Sequence, residues 1–246
     1  MKKNILLVAA LWILAFLISG AASPEFAKKK KLLVFSKTAG FRHGSIGVGK
    51  KAILKLGEEN KFDVDTTADA TQFTPENLKQ YAAVLFLNTT GDVLNEEQQT
   101  AFEQYIKQGG GFMGIHSATD CEYNWQWYGN LVGAYFGGHP VPQEAVLNIT
   151  DAKHISTKHL PAQWKRKDEW YNYKWIAPNL HVLITIDETS YKGGKNSPEH
   201  PMAWYHAVDK GRAFYTALGH TDESFSEPLY LQHILGGMKY AMNIRK

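Results

Sequence analysis

The stretch Gly109-Gly110-Gly111-Phe112-Met113-Gly114-Ile115-His116-Ser117-Ala118-Thr119-Asp120 reads as a buried strand that ends in a sharp turn. Glycines punctuate its start, a short apolar run follows, and four polar residues come soon after. In an open α/β sheet, side chains at such a turn face the crevice beyond the carboxyl ends of the parallel strands, where ligands bind. His116 stands at the apex, and Asp120 lies about one turn further on if a helix starts there. The same residues admit a plainer reading, in which Ser117 or Asp120 only caps a helix.

Working outward, the segments before this stretch alternate between strand and helix. Leu32-Leu33-Val34-Phe35 is a short apolar run of the kind found in buried parallel strands. The polar loop after it carries Arg42 and His43, which either face the same crevice as His116 or lie on the surface with Ser45 capping a helix. Residues 46–59 have helical apolar spacing at Ile46, Ile53, Leu54 and Leu56. Residues 62–67 alternate as a strand, and Thr74-Pro75 opens a short helix. Residues 81–87 form a third buried strand, and Asn95 caps a helix running to Gln108. Short links between alternating elements predict a doubly wound, mainly parallel sheet. The Gly-x-Gly-x-x-Gly fingerprint is absent after the first strand, so a dinucleotide site is not expected there.

Composition narrows the class. The chain has 246 residues, 44% hydrophobic and 13% aromatic, as a globular protein with a sizeable core requires. Lys2 and Lys3, the apolar run from Ile5 to Ile18, and Ser19-Gly20-Ala21-Ala22 resemble a Sec-type signal peptide. The run is short for a membrane span, which favours cleavage around Ala21 to Ser23 over an uncleaved anchor, and no Cys marks a lipoprotein. The expected organisation is a signal peptide over 1–22, a basic linker over 23–31 and a single domain over 32–244. The expected location is periplasmic or secreted, without membrane attachment after cleavage. Residues 1–31 hold six lysines and one glutamate, so the body carries 21 basic and 23 acidic residues, a balance of −2. No nucleic-acid footprint is present. Cys121 is the sole cysteine, which excludes an intrachain disulfide and a Cys-based metal cluster.

Beyond Asp120 the chain turns aromatic. Trp125, Trp127, Tyr128, Tyr135 and Phe136 precede Gly137-Gly138-His139-Pro140, and serve either as core or as a stacking platform for a sugar. Residues 168–173 alternate as a strand with Glu169, Tyr171 and Tyr173 on one face, or hold a solvated Asp168-Glu169 pair. Residues 202–208 and 212–218 flank Asp209-Lys210-Gly211 as a hairpin. Its second strand ends in Gly219-His220, once more a His after a Gly at a strand end. A closing helix spans 229–243, and His233 on it reads as structural.

Gly40-Phe41-Arg42-His43, Gly114 to Asp120, Gly138-His139-Pro140, Asp168-Glu169-Trp170-Tyr171 and Gly211 to His220 together resemble the ThuA family, named for trehalose utilisation. The resemblance covers residues 31–244 and implies a flavodoxin-like, class I glutamine amidotransferase-like three-layer sandwich. Amidotransferases carry a Cys nucleophile at the strand-turn-helix elbow. Here the elbow holds His116, with Cys121 beyond it. Imidazole is not the thiolate that glutaminase chemistry needs, so the fold carries over and that reaction does not.

The resemblance implies a small-molecule carbohydrate as partner, in a pathway that oxidises sugars to 3-keto forms. A carbonyl at C3 acidifies the C2 proton; a base removes it, the C1 substituent leaves, and water adds. His116 or Glu169 is the expected base, His43 and His220 the electrophilic or acid partners, and Asp120 the group that orients an imidazole. Arg42, Ser117, Trp127, His139 and Tyr171 are the expected substrate contacts. His116, His139 and His220 are candidate ligands for zinc or a similar divalent ion; alternatively the histidines act only as acid/base groups. Two other readings stand beside this one: a non-catalytic sugar-binding module, and a glycosidase using Asp120 and Glu169. A homodimer is left open.

Overall fold

Five strands make the parallel half of the sheet: β1 (Lys31–Phe35), β2 (Asp63–Thr67), β3 (Ala83–Leu87), β4 (Gly111–Ile115) and β11 (Gly211–Thr216). The computed structural model describes residues 29–244, so the expected signal peptide and most of the linker lie outside the described residues. The sheet order is β2-β1-β3-β4-β11, continued by β10 (Pro201–Val208), β9 (His181–Ile186), β6 (Gln143–Ile149) and β7 (Gln163–Asp168). The pairings from β2 to β11 are parallel, and those from β11 to β7 are antiparallel. A separate ribbon pairs β5 (Ala134–Gly138) with β8 (Asn172–Ile176).

The helices are α1 (Ile46–Glu59), α2 (Pro75–Leu78), α3 (Glu96–Lys107), α4 (Gln126–Val132) and α5 (Pro228–Ala241). Sheet alternation sorts the core into two layers. Leu87 and Phe214 meet α1 and α5, where Gly49 and Gly237 allow close approach. Phe35, Phe86 and Phe112 form the opposite face, where Phe86 and Phe112 pack on Phe102 of α3 and Tyr128 of α4. The buried runs of β3 and β4 are therefore apolar on both sides, as in sheets covered by helices on both faces. The expected α/β architecture is present.

Local chemistry explains the element ends. Asn95 and Gln98 exchange side-chain-to-backbone hydrogen bonds in a capping box at the start of α3. Thr74 accepts from the Asn77 amide, and Pro75 occupies the first turn of α2. Two local expectations change. Leu54 is exposed rather than part of the apolar face of α1. The stretch 168–173 is not one strand: β7 ends at Asp168 and β8 begins at Asn172. The break lets Glu169 and Tyr171 face the crevice while Tyr173 packs against Trp204 in the core.

Candidate functional site

The site is built where strands end. The loops after β1, β4 and β11 bring in His43, His116 and His220 from the parallel half. The loop after β5 supplies His139, and the break after β7 supplies Glu169. This is the carboxyl edge, and the order reversal between β1 and β3 is the switch point at which α/β sheets open a crevice.

His116 takes φ +50°, a conformation that is uncommon without glycine. Three contacts hold it. Its carbonyl accepts from the Tyr215 hydroxyl at 2.7 Å, its Nδ1 donates to the Ala217 carbonyl at 2.8 Å, and its ring lies 4.2 Å from that of Tyr171. With the proton fixed on Nδ1, a neutral His116 turns a lone pair outward from Nε2. That atom lies 3.2 Å from His220 Nδ1 and 3.4 Å from Glu169 Oε2. Glu169 Oε2 is also 3.2 Å from His220 Nδ1, and Oε1 is 3.1 Å from His139 Nδ1. His43 is edge-on to both His116 and His220, with Nδ1 3.4 Å from Ser117 Oγ.

Asp168 organises the loops beneath this cluster. It is fully buried. Its Oδ1 accepts from the amides of Glu169 and His220 at 2.9 and 3.1 Å, and its Oδ2 from the Gly219 amide at 2.9 Å and Arg166 at 3.0 Å. Ser45 does not cap α1; its hydroxyl donates to the Gly219 carbonyl and accepts from Asn88. Both sides of the His220 loop are thereby pinned.

The electrostatics separate the groups. Burial and the neighbouring His116 and His220 push His43 down to about 3, so it is neutral at physiological pH. Burial opposes ionisation of Glu169, but hydrogen bonds with His116 and His220 outweigh it and hold the carboxyl well below the usual range. The same contact with Glu169 raises His220 against its own desolvation. Burial raises Asp120, partly offset by the Tyr123 hydroxyl donating to Oδ1 at 2.6 Å.

A cavity of about 330 Å³ opens on the cluster, lined by Phe41, His43, Asp120, Phe136, His139, Glu169, Tyr171 and His220. That volume suits a ligand the size of a sugar unit. A larger groove of about 840 Å³ runs between Lys51 and Lys55 of α1 and Asp63 and Asp65 of β2, and has no imidazole in its lining.

The structure brings most of the expected residues together and reassigns several. His116 lies under the cavity, fully buried and absent from its lining, so it supports rather than touches a substrate there. The carboxylate that orients the imidazoles is Glu169; Asp120 bonds to Tyr123 and faces the cavity. Trp127 stacks with Trp125 and meets Phe102, away from the site, and Arg42 is exposed outside the lining. Phe41 and Phe136 supply the aromatic walls instead. Ser117 is buried against His43, whereas Tyr171 and His139 line the cavity as expected. Among the described residues, the group able to hold a metal ion is His43, His116, Glu169 and His220, with donor atoms within 4.8 Å of one another. His139 drops out of that set and holds the other oxygen of Glu169.

The sequence profile of the ThuA family, described as trehalose utilisation, matches residues 31–241. The chain belongs to the ThuA family. ThuA membership points to a carbohydrate-related function. A ThuA-like protein of Bacteroides uniformis is 24% identical, superposes with a TM-score of 0.75, and shares 90% of this chain and 95% of its own. A ThuA-like protein of Parabacteroides merdae is 22% identical with a TM-score of 0.72, covering 89% and 93%. The fold also matches 31% of a β-galactosidase of Bacillus circulans, at 11% identity and a TM-score of 0.56 over 88% of this chain. These likenesses establish the ThuA fold. A search of curated proteins finds no match.

Proposed function

We propose that this ThuA protein acts on a 3-keto-glycoside or 3-keto-disaccharide, removing the C2 proton and releasing the C1 substituent. The observation that carries the reading is a single cavity holding Asp120 and the His43–Glu169–His220 cluster between aromatic walls. Phe41, Phe136 and Tyr171 offer apolar faces to a sugar ring. Asp120 is the base. Its carboxyl is raised by burial, which brings it nearer the working pH, whereas Glu169 is too acidic to take a proton well. The imidazole cluster receives the C3 oxygen as negative charge develops on it.

The electrons of the broken C2–H bond form the enediolate, and the proton passes to Asp120. Collapse of the enediolate then breaks the bond from C1 to the leaving oxygen, which takes the proton back from Asp120. Addition of water across the resulting double bond completes hydrolysis. The apolar leader supports a periplasmic or secreted site of action.

A glycosidase reading draws on Asp120 and Glu169 in the same cavity. It is weaker, because both Glu169 oxygens are already engaged by imidazoles. The deciding assay compares methyl glucoside and trehalose with their 3-oxidised forms. Turnover confined to the oxidised substrates is expected, and Asp120→Asn lowers it by about 10²–10⁴-fold. Equal cleavage of the unoxidised sugars would overturn the proposal in favour of the glycosidase.

A further inference from the structure

His116 Nε2, His220 Nδ1 and Glu169 Oε2 form a triangle with sides of 3.2, 3.2 and 3.4 Å. An ion bound tetrahedrally at about 2.0–2.2 Å sets neighbouring donor atoms about 3.3–3.6 Å apart. The triangle therefore already has nearly the dimensions of one face of a metal site. His43 lies against it, edge-on to both imidazoles, and offers a donor atom within 4.8 Å of the other three residues'.

The donor orientation makes the same point. The Ala217 carbonyl takes Nδ1 of His116, so Nε2 is the ring atom turned toward Glu169 Oε2 and His220 Nδ1. The surroundings match the usual support of a metal centre, where a ligating His donates its second N–H to a carbonyl and a ligating carboxylate is itself hydrogen-bonded. His116 has Ala217, and the outer oxygen of Glu169 lies 3.1 Å from His139 Nδ1, an ion-pair contact if that imidazole is protonated. Asp168 fixes the backbone of both Glu169 and His220.

We propose that His43, His116, His220 and Glu169 bind one divalent transition-metal ion of the zinc class, with the cavity side left for a substrate oxygen. Three imidazoles and a carboxylate suit such an ion better than magnesium or calcium, which favour all-oxygen sets. The role of the ion rests on the keto-glycoside reading: it takes the C3 oxygen as a Lewis acid and stabilises the enediolate. Its binding does not depend on any sugar.

The test is a titration of tag-free protein, stripped with a chelator, by Co²⁺ and then Zn²⁺. One equivalent of Co²⁺ is expected, with the visible absorption of a four- or five-coordinate ion, and Zn²⁺ should displace it. His220→Ala and Glu169→Gln, checked for folding by circular dichroism, should each weaken Co²⁺ binding by about 100-fold or more, since loss of outer partners alone costs about 10–100-fold. His181→Ala, on an exposed site of β9, should bind as the parent does. Failure of the parent to take up one equivalent at micromolar Co²⁺ would overturn the metal site, as would folded His220→Ala and Glu169→Gln variants that bind like the parent. Turnover of the 3-keto substrate by metal-free protein would refute the Lewis-acid role of the ion while keeping the proposed reaction. Stoichiometric binding without turnover of that substrate would keep the metal and refute the reaction.

Discussion

Replacing Asp168 by Ala should unlatch the site and destabilise the whole domain. The carboxylate is fully buried and accepts from three backbone amides, those of Glu169, Gly219 and His220, and from the Arg166 guanidinium. Breaking a buried ion pair costs about 3–5 kcal/mol, because the remaining charge stays desolvated. Each orphaned amide adds about 1–3 kcal/mol where water cannot reach it. Part of this is recovered because Arg166 keeps a contact to Glu227 at 3.3 Å. A net loss of about 4 kcal/mol is expected, a large share of the roughly 5–15 kcal/mol that holds a typical domain. Asp168→Asn should cost nearly as much, since the amide group turns a donor toward other donors. Urea unfolding followed by tryptophan fluorescence reads the loss, and the Co²⁺ titration reads the disordering of Glu169 and His220. A loss below about 1 kcal/mol in Asp168→Ala, with Co²⁺ binding unchanged, would refute the role given to this residue.

Two further predictions concern packing and pH. Gly237→Ala would place a methyl group 2.5 Å from the Phe214 ring, so α5 must shift from β11; a net loss of about 1–2 kcal/mol is expected in the same urea assay despite the gain in helix propensity. His233 is buried on α5, donates from Nδ1 to the Ser156 carbonyl and has no partner for Nε2; burial lowers it to about 3. The unfolded chain protonates this imidazole near pH 6.5 and the folded chain does not, so the stability it contributes is full above that pH and falls as pH drops toward 3. Between pH 7 and pH 5 the parent should lose about 2 kcal/mol more than His233→Gln. Parallel slopes for the two proteins would contradict this.

The parallel half was legible because each of its signals is local. Apolar runs such as Leu32–Phe35, the Asn95 cap and the Pro75 start depend on neighbours in sequence, and the structure places them with shifts of a residue or two at the ends. The residues that form the cluster were legible too, as a His after a strand on three occasions and Glu169 beside Asp168. What each one touches was not. His116 sits at the apex of the elbow, yet its ring turns under the cavity because the Ala217 carbonyl captures Nδ1. Trp127 carries the right chemistry for a sugar wall, but the turn of α4 directs it toward Phe102. The roles of Ser45 and Asp168 rest on contacts to Gly219 across most of the sheet, which no spacing in the sequence encodes. Even on β7 the residue types hide it: buried and exposed positions alternate strictly in the structure, yet Arg166 and Asp168 share the buried phase with Trp164 while lysines take the exposed one.

The wide separation in sequence of the cluster residues has a kinetic consequence. His43 reaches Ser117 across 74 residues, and His116 reaches Ala217 and His220 across 101 and 104. Closing such long loops is slow and brings no reward until both ends have docked. The chain must therefore finish most of its sheet, including the last strand in sequence, before any of these imidazoles meets another. A refolding experiment should show secondary structure and tryptophan burial well before Co²⁺ can be captured, and a chain interrupted before Gly211 would have four of the five loops of the site and no functioning centre.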